Sequence, residues 1–205
     1  LLNAWVVAVF GQRYGFTLTL ILFTIGSFVA GFAESFDMLV AGRVMQGAAT
    51  GVIQPLVMVT VFQVFPQDRR GFAMGVYSMG LVLAVAMGPP IGGLALEVLS
   101  WRYIFWLPLP MVLLALPLGL IFLPSVRQDA KQPFDWIGFT LIAVTLFCIM
   151  TILTDGPRKG WGADYIIGLM LLGTATGIGF VKSQRRSGAT LVDISLFENK
   201  HFVIV

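Results

Sequence analysis

The sequence predicts an all-α fold, a polytopic transmembrane helical bundle. Three observations carry this. Of its 205 residues, 58% are hydrophobic and 11% charged, a balance far more apolar than that of a soluble domain. The apolar residues gather into continuous runs close to the roughly 20 residues that a helix needs to cross a hydrocarbon core of about 30 Å. Finally, Lys and Arg between the runs are dense on alternate sides. Helices are preferred to barrel strands because the runs are continuous rather than alternating, and a lone helix satisfies its own backbone in lipid.

Taken in order, Leu1 to Phe10 reads as the tail of one span, followed by a turn holding Gly11 and Arg13. Six complete runs follow: Thr17 to Ala33, Met38 to Phe62, Phe72 to Leu96, Ile104 to Leu123, Trp136 to Leu153 and Asp164 to Val181. From His201 onward the chain reads as the head of a further span. It opens on Leu1-Leu2-Asn3, with no initiator Met and no charged segment ahead of a short apolar one, so an internal piece of a longer protein is expected. The longest polar stretch, Ser183 to His201, is too short to house a soluble domain.

Orientation follows from the cations. One side receives Arg13, Arg69, Arg70, Arg127, Lys131, Lys182, Arg185, Arg186 and Lys200; the other receives Arg102, Arg158 and Lys159. The first side is therefore expected to be cytoplasmic. Trp101, Tyr103, Trp106 and Trp161 fall at predicted outer ends and Trp136 at an inner one, as interfacial aromatics do. Ser125 to Pro133 reads as a charged inner loop, Gly156 to Gly162 as an outer one, and Pro66 to Gly71 as an inner turn that sets topology. The net charge of +3 does not point to nucleic acid, because the cations lie in short clusters between apolar runs. Cys148 is the single cysteine, so neither a disulfide framework nor a cysteine metal site can form.

Arg43 is the most informative residue, since a charge inside an apolar span is costly and ordinarily faces protein or water. Arg43, Gln46, Thr50 and Gln54 share one helix face, a polar stripe flanked by Gly47, Gly51 and Pro55. Such a stripe fits the wall of an aqueous pathway. The plainer alternative is that Arg43, roughly 8 Å from the outer boundary at 1.5 Å per residue, snorkels outward. In the next span Gly80, Ala84, Gly88 and Gly92 recur every fourth residue, a smooth face for close helix approach. Pro89 and Pro90, followed by Gly92-Gly93, predict that this helix kinks or opens in its outer third and works as a hinge or seal. Ser100 to Trp106 places amphipathic rings and one cation at the outer interface, where membrane anchoring accounts for them. Every acid lies in a loop or at a span end, and His201 is the lone histidine. No catalytic set, metal site or cofactor is therefore expected.

These residues resemble the major facilitator superfamily, and within it the fourteen-span EmrB/QacA-type drug:proton antiporters. Leu39 to Ala49, around Arg43, is similar to the fourth-helix motif in which the arginine is associated with proton coupling. Gly80 through Met87-Gly88-Pro89-Pro90-Ile91-Gly92-Gly93 is similar to the fifth-helix antiporter motif. Trp101 to Phe105 and Leu191 to Phe197 resemble recurring phrases of the subfamily. Gly11 and Arg13 match the loop after helix 2, an inner gate, although that loop's usual acid is absent here.

The resemblance implies that residues 1–123 run from the end of helix 2 to helix 6, that 124–181 hold central helices 7 and 8, and that 182–205 form a cytoplasmic segment and the start of helix 9. It also implies a proton-driven exporter of amphipathic small molecules in a bacterial inner membrane. The partners implied are substrate, protons and the lipid bilayer, with a periplasmic adaptor and outer-membrane channel if the parent is of the tripartite kind. A membrane-embedded sensor or scaffold that uses the fold without transport stays open as the alternative. So does an enzyme whose catalytic groups lie outside this sequence.

Since the stripe of helix 4 and the small-residue face of helix 5 would lack partners, the isolated chain is expected to be poorly stable. Loss of helical ellipticity on heating the purified 205-residue chain in detergent should be broad. A sharp cooperative transition would contradict this.

Overall fold

The computed structural model describes residues 2–123 and 134–186. These form seven helices: α1 Leu2–Gly31, α2 Phe36–Val64, α3 Arg70–Val98, α4 Tyr103–Trp106, α5 Leu109–Phe122, α6 Trp136–Lys159 and α7 Asp164–Arg186. Among the described residues there are six membrane-length apolar helical spans, with α4 and α5 together making one of them. The protein is therefore a multi-pass integral membrane protein. The expected loop Ser125 to Pro133, the phrase Leu191 to Phe197 and the span from His201 onward lie outside the described residues.

The turn expected after the first apolar segment is compressed into one residue. Gly11 breaks α1 with φ 75° and ψ 171°, a conformation that a side chain would strain. Beyond it the chain folds back. A methyl group at Gly15 would stand 3.1 Å from Val6 Cγ1, whereas a straight helix would hold these residues about 13 Å apart. Residues 2–10 and 12–31 are thus two helices packed on each other.

The chain divides into two compact units, one holding α1 to α5 and the other α6 and α7. In the first, α1 and α2 cross where both carry glycine. A methyl group on Gly42 would lie 2.6 Å from the Ala30 nitrogen and 2.8 Å from the Gly26 carbonyl oxygen. The backbones therefore touch directly, with Gly26 and Ala30 on one helix facing Gly42 and Gln46 on the other. This is small-residue packing, the main means by which helices associate when lipid is as apolar as leucine. Ala49, Val52 and Leu56 extend the contact down α2.

The helix pair α4–α5 lies along α1 and is tied to it at both ends. At one end Arg13 Nε donates to the carbonyl of Leu123 at 2.9 Å, the C-cap of α5, and the Phe16 ring covers Gly119. At the other, Arg102 donates to the carbonyl of Ala33 at 3.1 Å, and Trp106 lies over Gly31. A guanidinium suits this place, because the last carbonyls of a helix have no intrahelical partner and carry partial negative charge. The contacts also make α1 and α4–α5 antiparallel, in keeping with the alternation of cations.

Two elements depart from expectation. Helix α3, expected to kink or open at Pro89-Pro90, does not open: it is helical without interruption from Arg70 to Val98. The residue ahead of the pair is Gly88, which lacks the Cβ that would clash with the Pro89 ring. The outer loop expected at Gly156 to Gly162 is shorter, since α6 continues to Lys159 and stops at Gly160, φ 90°. An Asp155–Lys159 ion pair of 3.1 Å and a Thr154 hydroxyl bonded to the Met150 carbonyl at 2.8 Å support the extra turn.

The second unit is a hairpin closed at both ends and in the middle. Asp135 caps α6 by accepting from Gly138 N at 2.8 Å, while its other oxygen accepts from Gln184 on α7 at 2.7 Å. Thr145 and Thr176 bond across the pair at 2.9 Å. Next to them, a methyl group on Gly173 would stand 3.0 Å from Cys148 Cβ. Trp161 packs over Gly156 at the far end.

Gly42→Leu in the full-length protein should destabilise the α1–α2 crossing by about 1–3 kcal/mol, read as a lower unfolding temperature in detergent. Gly162→Ala, where the space is open, should stay within about 0.5 kcal/mol of wild type.

Candidate functional site: the Arg43 face of helix α2

Ser35 starts α2 by accepting from Met38 N at 3.2 Å, and Asp37 in the first turn complements the positive end of the helix dipole. Two turns further in, Arg43 and Val44 are exposed while Gly42 and Gln46 are buried. The boundary between buried and open faces therefore passes between Arg43 and Gln46.

The guanidinium of Arg43 lies over the ring of Phe105, 4.5 Å from its centroid, and reaches Gln46 Oε1 at a long 3.5 Å. Gln46 is 7% exposed, and its Nε2 donates to Ser27 Oγ on α1 at 2.7 Å. Ser27 has no exposed surface. The polar chain thus runs from cation to amide to hydroxyl, the guanidinium donating to the amide oxygen and the amide nitrogen to the hydroxyl, as polar groups removed from water require. Among the described residues the ion pairs are Asp68–Arg69 and Asp155–Lys159, so Arg43 has no carboxylate partner there. An aromatic face contributes about 0.5–2 kcal/mol toward holding such a cation, which offsets part of the cost of placing charge in a membrane.

The expected stripe does not stay together. Gln46 turns inward against α1, because three residues advance the helix by about 300°, some 60° short of a full turn, toward Gly42 and the α1 contact. Thr50 is exposed and bonds its own helix, to the carbonyls of Gln46 and Gly47 at 3.0 Å each. Gln54 is exposed. Arg43, Thr50 and Gln54 therefore form the open part of the stripe.

Gly80, Gly88, Gly92 and Gly93 are not brought to Arg43. Within the described residues a methyl group at any of them would meet nothing within 4 Å, and Ala95 is the buried residue of α3. Pro89 and Pro90 are exposed, as are Gly80, Gly88 and Gly93, while Gly92 is half-buried. Gly11 and Arg13 occupy the opposite end of α1, where Gln12 between them is 1% exposed and donates through Nε2 to Thr60 Oγ1 on α2. That corner is held by neutral and backbone contacts: Gln12 to α2 and Arg13 to the end of α5. No group of three or more metal-ligating side chains occurs among the described residues.

Two residues of the site escaped the sequence reading. Ser27 was readable as a hydroxyl beside Gly26 in an apolar span, with Ala30 four residues beyond that glycine. Phe105 was assigned to the interfacial belt, and nothing in its neighbourhood announces that it turns under Arg43 with 4% exposure.

The profile of the Major Facilitator Superfamily matches residues 1–193. The chain is 32% identical over 180 residues, 87% of its length, to the lincomycin resistance protein LmrB of Listeria monocytogenes, covering 38% of that protein. It is 29% identical over 205 residues, 99% of its length, to the multidrug export protein EmrB of Haemophilus influenzae, covering 40% of it. With an uncharacterized MFS-type transporter, YhcA of Bacillus subtilis, it shares 27% identity over 197 residues, 96% of this chain and 37% of that one. The chain thus spans about two fifths of the length of these curated relatives.

In a double-mutant cycle, Ser27→Ala and Gln46→Leu should show a coupling of about 0.6–1.7 kcal/mol, the range of hydrogen bonds between membrane helices. Additive single effects on unfolding would show that the contact contributes nothing.

Proposed function

Since the chain belongs to the major facilitator superfamily, we propose that it forms part of a secondary transporter that exports drugs or other amphipathic small molecules by proton antiport, through alternating access of two helical bundles. The observation that carries the reading is Arg43: a guanidinium on a membrane helix, seated on Phe105 and Gln46, with no carboxylate partner among the described residues. The printed names of LmrB and EmrB, lincomycin resistance and multidrug export, support the substrate class.

In this reading Arg43 acts on a carboxylate supplied by another part of the parent protein. A cation within about 4–6 Å favours the ionised form and lowers the acid's proton affinity. Moving the acid toward or away from Arg43 during the transport cycle would then release or capture a proton. Phe105 and the Gln46–Ser27 pair hold the guanidinium in place, while Thr50 and Gln54 line the open face beside it. The small-residue face of α3, Gly80 to Gly93, provides a surface on which a second bundle can slide or seal. Gly11 and Arg13 fix the inner corner that such a motion opens. The bacterial cytoplasmic membrane is the expected location, with a periplasmic adaptor and outer-membrane channel as partners if the parent is tripartite.

The full-length protein in proteoliposomes with an imposed proton gradient tests the reading. Arg43→Gln should lower coupled efflux at least about ten-fold, the effect of a single perturbed unit of proton affinity, while substrate binding stays near wild type. Arg43→Lys should retain part of the coupling. Unchanged coupling in Arg43→Gln would remove the arginine from the mechanism, and absence of flux in the wild type would favour the sensor reading.

A further inference from the structure

A second feature of the first unit does not have Arg43 in its lining. At the end of α1 that the cation count assigns to the outer face, a cavity of about 200 Å³ is lined by Gly31, Phe32, Ser100, Arg102, Tyr103 and Trp106. It is smaller than the roughly 300–1,000 Å³ of pockets that enclose a drug-sized molecule, so it suits one part of a larger amphiphile whose remainder lies elsewhere. Its walls are aromatic and fixed. Trp106 packs edge-on against Phe28, with centroids 5.8 Å apart, and against Phe32, at 4.9 Å. The indole nitrogen is buried without a hydrogen-bond partner and lies against Gly31, so the ring presents carbon to the cavity.

The rim is cationic. Arg102 is exposed and held in position by its bond to the Ala33 carbonyl at 3.1 Å and by the Trp101 ring, 4.6 Å from its guanidinium carbon. One of its several N–H donors serves Ala33, and no carboxylate pairs with it among the described residues. Ser100 is also part of the lining. An apolar slot below a positioned guanidinium, at the level where two membrane helices end, has the chemistry of a lipid with an anionic head.

We propose that this cavity is a subsite for an anionic phospholipid of the outer leaflet. Arg102 and Ser100 receive the phosphate, and the upper part of an acyl chain lies against Phe32, Tyr103 and Trp106. A bidentate guanidinium matches a phosphate better than an ammonium does, which separates this arrangement from the diffuse anchoring that interfacial residues give any membrane protein.

The test uses the full-length protein in nanodiscs of phosphatidylcholine doped with phosphatidylglycerol or phosphatidylcholine brominated on the acyl chain. Quenching of Trp106 is isolated as the difference between wild type and Trp106→Phe, which keeps a ring in place. Brominated phosphatidylglycerol should reach half-quenching at about five-fold lower fraction than its zwitterionic counterpart, the order of preference that one interfacial cation confers. Arg102→Gln should abolish that preference. Because Arg102 also ties down Ala33, Ser100→Glu provides a second route: it places a negative charge in the lining, leaves the tether intact and should abolish the preference as well. Equal quenching by the two lipids, or a preference that survives Ser100→Glu, overturns the proposal. Release of quenching by excess inorganic phosphate would assign the site to the free ion and overturn it too.

Discussion

Where α1 crosses α2, the hydrogens of Gly26 and Gly42 stand in place of side chains, so that each backbone lies against the other. In lipid no hydrophobic force drives two apolar helices together, and close van der Waals approach has to supply the attraction. The approach also brings the Ser27 hydroxyl within 2.7 Å of Gln46. That bond fixes the amide whose oxygen faces Arg43. The two glycines, one on each helix, thus set one of the two contacts that seat the cation, the other being the Phe105 ring.

Most polar side chains in the spans are absorbed without any neighbour. The hydroxyls of Thr17, Thr24, Thr151 and Thr174 each bond the carbonyl four residues back in their own helix, as serine and threonine do in apolar surroundings. Other polar side chains bond between helices, as do Gln12 with Thr60, Gln46 with Ser27, Thr145 with Thr176, and Gln184 with Asp135. These cross between helices, and each sits where the two helices already approach closely. Arg13 and Arg102 extend the logic to the ends of the bundle by meeting helix carbonyls that lack partners of their own. Among the described residues, Arg43 alone is seated inside a span with its charge on a ring and an amide.

The spans were legible because their signal is local. A run of apolar residues of bilayer length bounded by charge has one low-energy conformation in lipid, and the runs around Thr17, Met38, Phe72, Ile104, Trp136 and Asp164 all appear as helices. Boundaries blurred where weaker effects compete, as in the extra turn of α6 through Pro157 to Lys159. That the helix stays closed across Pro89-Pro90 has a related reason. Proline chemistry argues for a break, but Gly88 removes the steric clash ahead of the pair, and the remaining cost of missing N–H donors is tolerated.

By itself, then, the sequence determined that the chain spans a membrane repeatedly, which faces alternate, and that Arg43 is a charge requiring explanation. Each of these depends on residue type and spacing along one helix. The tertiary structure decided which glycines touch, that Gln46 faces α1 while Thr50 and Gln54 stay open, and that Phe105 leaves the interfacial belt to lie under Arg43. Those facts depend on how helices rotate and cross. A lipid-embedded sequence specifies rotation weakly, because apolar side chains are acceptable on the lipid face and the packed face alike.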